Sequence, residues 1–182
     1  ILKNPAFPEK EFEELRNEKL AEIEEQKSDP QAQVSNTFQR LLNPYPKGDI
    51  RYVNTIDENI SNLKSVNINE IKKFHEDFYG ANEATFSIVG DFDEKDMKAL
   101  VEKAFGTWKS KKPYSRVEDK FIDVKAENIN IETPDKANSM FLAGCNLEIK
   151  DSDPEYPAMV MANYILGGGF LNSRLATRIR QK

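Results

Sequence analysis

Cysteine and histidine are almost absent from this sequence. The single cysteine, Cys145, has no partner for an internal disulfide. It follows the apolar run Met140-Phe141-Leu142-Ala143-Gly144, where a small buried hydrophobe is expected rather than a reactive thiol. The single histidine, His75, excludes any metal site that needs two imidazoles on one helix face. It stands beside Phe74, a residue expected to face a core, so a structural role is expected for it. No run of about twenty apolar residues exists, which excludes a membrane-spanning helix. No basic block exists either. The 26 Lys and Arg are interspersed with 31 Asp and Glu, for a net charge of -5, which argues against nucleic acid as a partner. A signal peptide is also missing, but the chain opens on Ile1 rather than Met, so the compartment stays open.

What is present is a soluble globular composition with 38% hydrophobic residues. Phe12, Leu15, Leu20 and Ile23 give residues 9–27 a partial helical stripe. Asp29-Pro30 predicts a fresh start, with Asp as N-cap and Pro at the first helical position. Val34, Phe38, Leu41 and Leu42 continue that helix, and Asn43-Pro44-Tyr45-Pro46 stops it. The next clear helix opens on Asn67, paired with Glu70 as a capping box, with Ile71, Phe74 and Phe78 on one face. Residues 84–89 alternate and are β-branched, which predicts a strand. Asp93 caps a helix carrying Met97, Leu100, Val101, Ala104 and Phe105, closed by Gly106. Residues 109–119 are polar and contain Pro113, as a linker would. Strands are expected over 121–132 and 139–147, and Asp153-Pro154 is expected to cap a last apolar helix with Tyr156, Val160 and Tyr164. The resulting order suits an α+β fold of two layers, helices packed on a mainly antiparallel sheet.

The organising stretch is the last one. The apolar helix runs into Gly167, Gly168 and Gly169, then Phe170-Leu171, then Asn172 or Ser173 as cap of a helix with Arg174, Arg178 and Arg180. Leu175 and Ile179, four apart, are expected to give that helix a buried stripe, which Arg180 flanks. Gly-Gly-Gly-Phe-Leu-Asn-Ser-Arg-Leu at 167–175, followed by Ile-Arg-Gln-Lys at 179–182, resembles the second-domain signature of the insulinase/pitrilysin family of zinc peptidases. That family includes the mitochondrial processing peptidase and large bacterial relatives. Phe74-His75-Glu76-Asp77-Phe78-Tyr79-Gly80-Ala81-Asn82, with Val89-Gly90-Asp91-Phe92, resembles the closing helix and strand of one repeated unit. Asn43-Pro44-Tyr45-Pro46-Lys47-Gly48-Asp49 resembles the non-catalytic half of the two-half bacterial members. The resemblance therefore implies a fragment of a longer bacterial protein, cytoplasmic or periplasmic. Residues 1–108 would be the later part of one unit, 109–119 a linker and 120–182 the opening of the next.

The family's zinc helix carries H-x-x-E-H, and one histidine cannot supply it. By resemblance Glu22 falls nearest the third zinc ligand, but Leu15 stands at the accompanying acidic position. Among Glu13, Glu14, Glu18, Glu24 and Glu25, Glu22 is read as part of a solvated face. Zinc is thus expected in the parent protein and not in this chain. The glycines lack the Gly-Lys-Ser/Thr of a P-loop and follow a helix rather than a strand, so a close-packed corner is expected instead of a phosphate site. The resemblance places that corner near the substrate cleft. Members with a degenerate half keep an Arg and a Tyr that grip substrate backbone; Arg180 matches the Arg, and the Tyr would lie past Lys182.

The function expected is that of a non-catalytic half that closes the chamber and orients peptide for the parent's catalytic half. The alternative is a structural or interaction module of the same fold without activity, akin to processing-peptidase-like core subunits. An H-x-x-E-H motif in the full-length gene would separate the two. Strands short of partners would also let two copies pair edge to edge, so a homodimer is a further expectation.

Overall fold

The computed structural model of the chain describes residues 2–180. Its helices run α1 (Glu9–Gln26), α2 (Pro30–Leu42), α3 (Ile56–Ser65), α4 (Ile68–Phe78), α5 (Glu94–Phe105), α6 (Tyr156–Asn163) and α7 (Arg174–Arg180). A π-helical turn, Tyr164–Gly168, and a 3-10 turn, Phe170–Asn172, join the last two.

No strand exists among the described residues, so the expected α+β fold with a sheet is overturned. Residues 84–89, 121–132 and 139–147 are irregular. Alternation of side chains selects a face but supplies no partner. A strand persists only where a second segment takes up its N–H and C=O groups along a ladder. No such ladder forms here, and the apolar side chains meant for a sheet face solvent. Val89 is fully exposed and Phe141 is 84% exposed. Cys145 is exposed for the same reason, against the expectation of burial. The edge-to-edge pairing expected of two copies loses its edges with the strands.

The chain divides into two compact units, Ile1–Lys120 with Ala126–Ala143, and Phe121–Lys125 with Gly144–Lys182. In the first, local chemistry sets the helix starts. Asp29 accepts from Ala32 N at 3.0 Å, and Pro30 occupies the first turn of α2. Asn67 and Glu70 form both halves of a capping box on α4, and Asp93 accepts from Lys95 and Asp96 at the start of α5. Helix α3 was not foreseen. Its signal is another capping box, Thr55 with Glu58, ahead of Ile56, Ile60 and Leu63.

Helices α1 and α3 are antiparallel. Lys27, just past the end of α1, pairs with Asp57 at the start of α3 at 2.9 Å. Farther back in α1, Arg16 donates to Val66 O beyond the end of α3 at 3.3 Å. Between these ties lies Ile60, which is buried at 4% exposure. The end of α4 is bonded to the start of the 109–119 stretch: Ala81 N donates to Trp108 O at 2.8 Å, Lys112 N to Asp77 O at 2.8 Å and Ser110 N to Asn82 Oδ1 at 2.9 Å.

The loop before α3 is held by charge. Glu58 accepts from Lys47 Nζ at 2.7 Å, from Thr55 N at 2.9 Å and from the Tyr52 hydroxyl at 2.9 Å. These donors, Lys47 foremost, hold its carboxyl down at about 2. Asp49 is likewise held at about 2 by the Arg51 guanidinium and backbone N–H. Both folded values lie below the unfolded ones, so their stabilisation is present above the ordinary carboxylate range and is lost as pH falls toward 2. In a carbon-13 titration, the carboxyl carbons of Glu58 and Asp49 should remain ionised down to about pH 3. Midpoints at the ordinary carboxylate values would mean that this loop is not held as described.

Candidate functional site

The second unit carries the glycine corner and the arginines. Its entry is a turn in which Asp153 Oδ2 accepts from Lys150 N at 2.6 Å and Asp153 O accepts from Tyr156 N at 3.0 Å. Asp153 thus closes a turn and does not cap α6. The residue before that helix is Glu155, which makes no side-chain cap. Asn146 Nδ2 donates to Ile122 O at 3.0 Å, joining the two segments of this unit through a side chain rather than a ladder.

Helix α6 does not end at the glycines but widens into them. Gly169 N donates to Tyr164 O at 2.7 Å, a bond spanning five residues, which makes the turn π-helical. The glycines supply close approach here. A β-carbon on Gly169 would stand 2.9 Å from Tyr164 O, one on Gly167 3.3 Å from Leu175 Cδ1, and one on Gly168 3.4 Å from Asn163 O. None of the three has positive φ; the left-handed residue of the corner is Phe170, at φ 52°. That feature was not legible in the sequence, since a phenylalanine carries no preference for the left-handed region.

The corner ends on Ser173. Of the two candidate caps, Ser173 is the one that forms: its Oγ accepts from Ala176 N at 3.2 Å and donates to Phe170 O at 2.9 Å. At 2% exposure it is the pivot of the corner. It sets the start of α7, and Leu175 lies back over Gly167. Arg174, Arg178 and Arg180 are all exposed. None forms an ion pair among the described residues. Gln181 and Lys182, the end of the Ile-Arg-Gln-Lys pattern, lie outside the described residues.

Arg51 shows what a committed arginine looks like in this chain. Its Nε and Nη2 donate to the Asp49 carboxylate at 2.9 and 2.8 Å, and Nη1 donates to Glu118 O at 3.1 Å. Its guanidinium carbon lies 4.0 Å from the centre of the Tyr45 ring. Asp49 raises the guanidinium pKa further, and little donor capacity is left for a ligand. The arginines of α7 keep theirs.

The donor set does not fit a zinc site. His75 Nε2 lies 2.8 Å from Leu2 O; a carbonyl only accepts, so Nε2 carries the proton and is spent on that bond. The ring packs among Phe7, Tyr79 and Trp108, with centroids at 5.6, 4.8 and 6.5 Å. Glu22 accepts from Lys19 on its own helix at 2.7 Å. The described residues bring no three His, Cys, Asp or Glu side chains together as a metal would need.

No curated protein matches the chain. The family described as the Peptidase M16 inactive domain matches residues 65–182, a span that takes in α4 to α7, the glycine corner and the three arginines of α7. The chain belongs to the M16 peptidase family, as a member of its inactive-domain group.

Proposed function

We propose that this chain is the non-catalytic half of a two-part zinc peptidase, closing the chamber and orienting peptide through Arg180. Membership of the inactive-domain group makes it a peptidase-family module without catalysis of its own. The observation that carries the finer reading is the state of Arg180: exposed, at the far end of α7 from the glycine corner, and without an acidic partner among the described residues. A guanidinium so placed offers a planar fork of donors to a peptide carbonyl. It would also favour the negative charge that grows on that oxygen as the carbonyl is attacked. Zinc and the water it activates would belong to the other half of the parent.

A structural role is the second reading. It is favoured by α6, whose sequence Tyr-Pro-Ala-Met-Val-Met-Ala-Asn is apolar on all sides, as helices buried between other elements are. The two readings separate on Arg180. Titrating a labelled unstructured peptide with the full chain and with Arg180→Ala should show about ten- to a hundredfold weaker binding for the variant, the worth of a charged hydrogen bond. Equal affinities, with helix content unchanged by circular dichroism, would leave the structural role.

A further inference from the structure

Charge is unevenly distributed along this acidic chain. The 31 Asp and Glu all lie at or before Glu155, and the stretch from Tyr156 to Lys182 contains none. The same stretch contains Arg174, Arg178, Arg180 and Lys182, a local charge of +4 in a protein of net -5. In the first unit cations are commonly matched, as in Lys27 with Asp57 at 2.9 Å, Lys47 with Glu58 at 2.7 Å and Lys111 with Glu76 at 2.9 Å. On α7 nothing of the kind occurs.

Helix stability does not account for this. Arg174 is the first residue of α7, at the end of a helix where the backbone dipole disfavours a cation. Arg178 follows one turn later on the same face, close enough for the two guanidinium groups to repel, since like charges four apart are unfavourable. Beside them Leu175 and Ile179 are 46% and 74% exposed, and Phe170 is 74% exposed. A pair of uncompensated guanidinium groups next to an exposed apolar stripe is complementary to a carboxylate-bearing chain with apolar neighbours.

We infer that the Arg174 and Arg178 face of α7 makes this module selective for peptides carrying acidic side chains. The inference rests on the peptide-orienting role proposed above but divides the labour. Arg180 takes backbone carbonyl, which every peptide has, whereas Arg174 and Arg178 take side-chain carboxylate, which only some have. Arginine suits the task because its fork matches both carboxylate oxygens. The pairs would be solvent-exposed, so the preference should be modest and screened by salt.

The test uses the full chain and two short unstructured peptides that differ only in a Glu-Glu or a Gln-Gln pair. At low ionic strength the Glu peptide should bind about five- to tenfold more tightly, and the advantage should shrink at about 1 M salt. In Arg174→Gln/Arg178→Gln the advantage should vanish while the Gln peptide binds as before. Equal binding of both peptides to the unmodified chain, still weakened by Arg180→Ala, would overturn the acidic preference alone. Binding of neither peptide would overturn the peptide-orienting role and the preference with it. Retention of the advantage in the double variant would assign the selectivity elsewhere. Tighter binding to phosphatidylserine vesicles than to the Glu peptide would make the face a membrane contact and overturn the inference.

Discussion

Gly80→Ala is expected to destabilise the first unit by about 2–4 kcal/mol, through backbone rather than through any loss of side-chain contact. A β-carbon at this position would stand 2.1 Å from Ser110 N and 2.7 Å from the Lys109 carbonyl carbon. Neither atom belongs to a flexible side chain, so the 109–110 backbone itself has to withdraw. That backbone is fixed by the bonds Ala81 N to Trp108 O, Ser110 N to Asn82 Oδ1 and Lys112 N to Asp77 O, at 2.8 to 2.9 Å. Each contributes about 0.5–1.5 kcal/mol net, and withdrawal weakens all three together. Gly90→Ala is the control, because its nearest contact would be Phe92 Cδ1 at 3.9 Å, and an exposed change of that kind stays within about 0.5 kcal/mol. Urea unfolding of both variants decides the matter. Hydrogen exchange at Ala81, Ser110 and Lys112 should accelerate in Gly80→Ala alone. If the two variants unfold alike, the joint between α4 and residues 108–112 is not formed in solution.

The same joint illustrates what the sequence made legible. Its elements are close in sequence at one end and remote at the other, and only the close part could be read. Helix starts at Asp29-Pro30, Asn67 with Glu70, and Asp93 are local arrangements in which one side chain reaches a backbone N–H two or three residues on, and each forms as expected. Helix α3 carries the same kind of signal in Thr55 and Glu58, with a shorter apolar pattern behind it. The strands failed for the opposite reason. A run such as Ala84-Thr85-Phe86-Ser87-Ile88-Val89 has the local preference of a strand, yet strand formation is settled by a distant partner that local pattern cannot name.

At the site, chemistry read from residue types fared better than conformation. Ser173 as cap and the close approach at the glycines follow from what serine and glycine can do, whereas the stripe of Leu175 and Ile179, expected to be buried, is exposed at 46% and 74% because no neighbouring element among the described residues covers it. The positive φ at Phe170 and the π-helical bond from Gly169 to Tyr164 have no residue signature of that kind. Gly169 allows the carbonyl of Tyr164 to come nearer than a β-carbon would permit, and the left-handed residue stands one position on. The absence of acid around the arginines is likewise a property of the whole tail and of no motif within it.

Ile60→Ala should be the costliest truncation of an apolar side chain in the first unit. Helix α3 is short, and its capping box and surface ion pairs can keep it helical without holding it to α1. Lys27 with Asp57 and Lys64 with Glu24 are exposed pairs, at 2.9 and 3.9 Å, and such pairs contribute little. Beyond one hydrogen bond from Arg16 to Val66 O, what fixes α3 is Ile60, at 4% exposure. Removing the side chain forfeits its transfer free energy and opens a cavity, for about 2–5 kcal/mol in a rigid core. Few neighbours here are buried, so the cavity can collapse or fill with water, which places the cost in the lower half of that range. Leu15→Ala on α1 sets the scale. Leu15 is 54% exposed, and its loss should cost no more than about half as much. The Ile60 variant should also keep most of its circular dichroism while the exchange of α3 amides quickens, because the helix would detach before it unwinds. If Leu15→Ala and Ile60→Ala lower the urea midpoint equally, Ile60 is not the anchor of α3, and the packing of α1 on α3 rests on its polar ties instead.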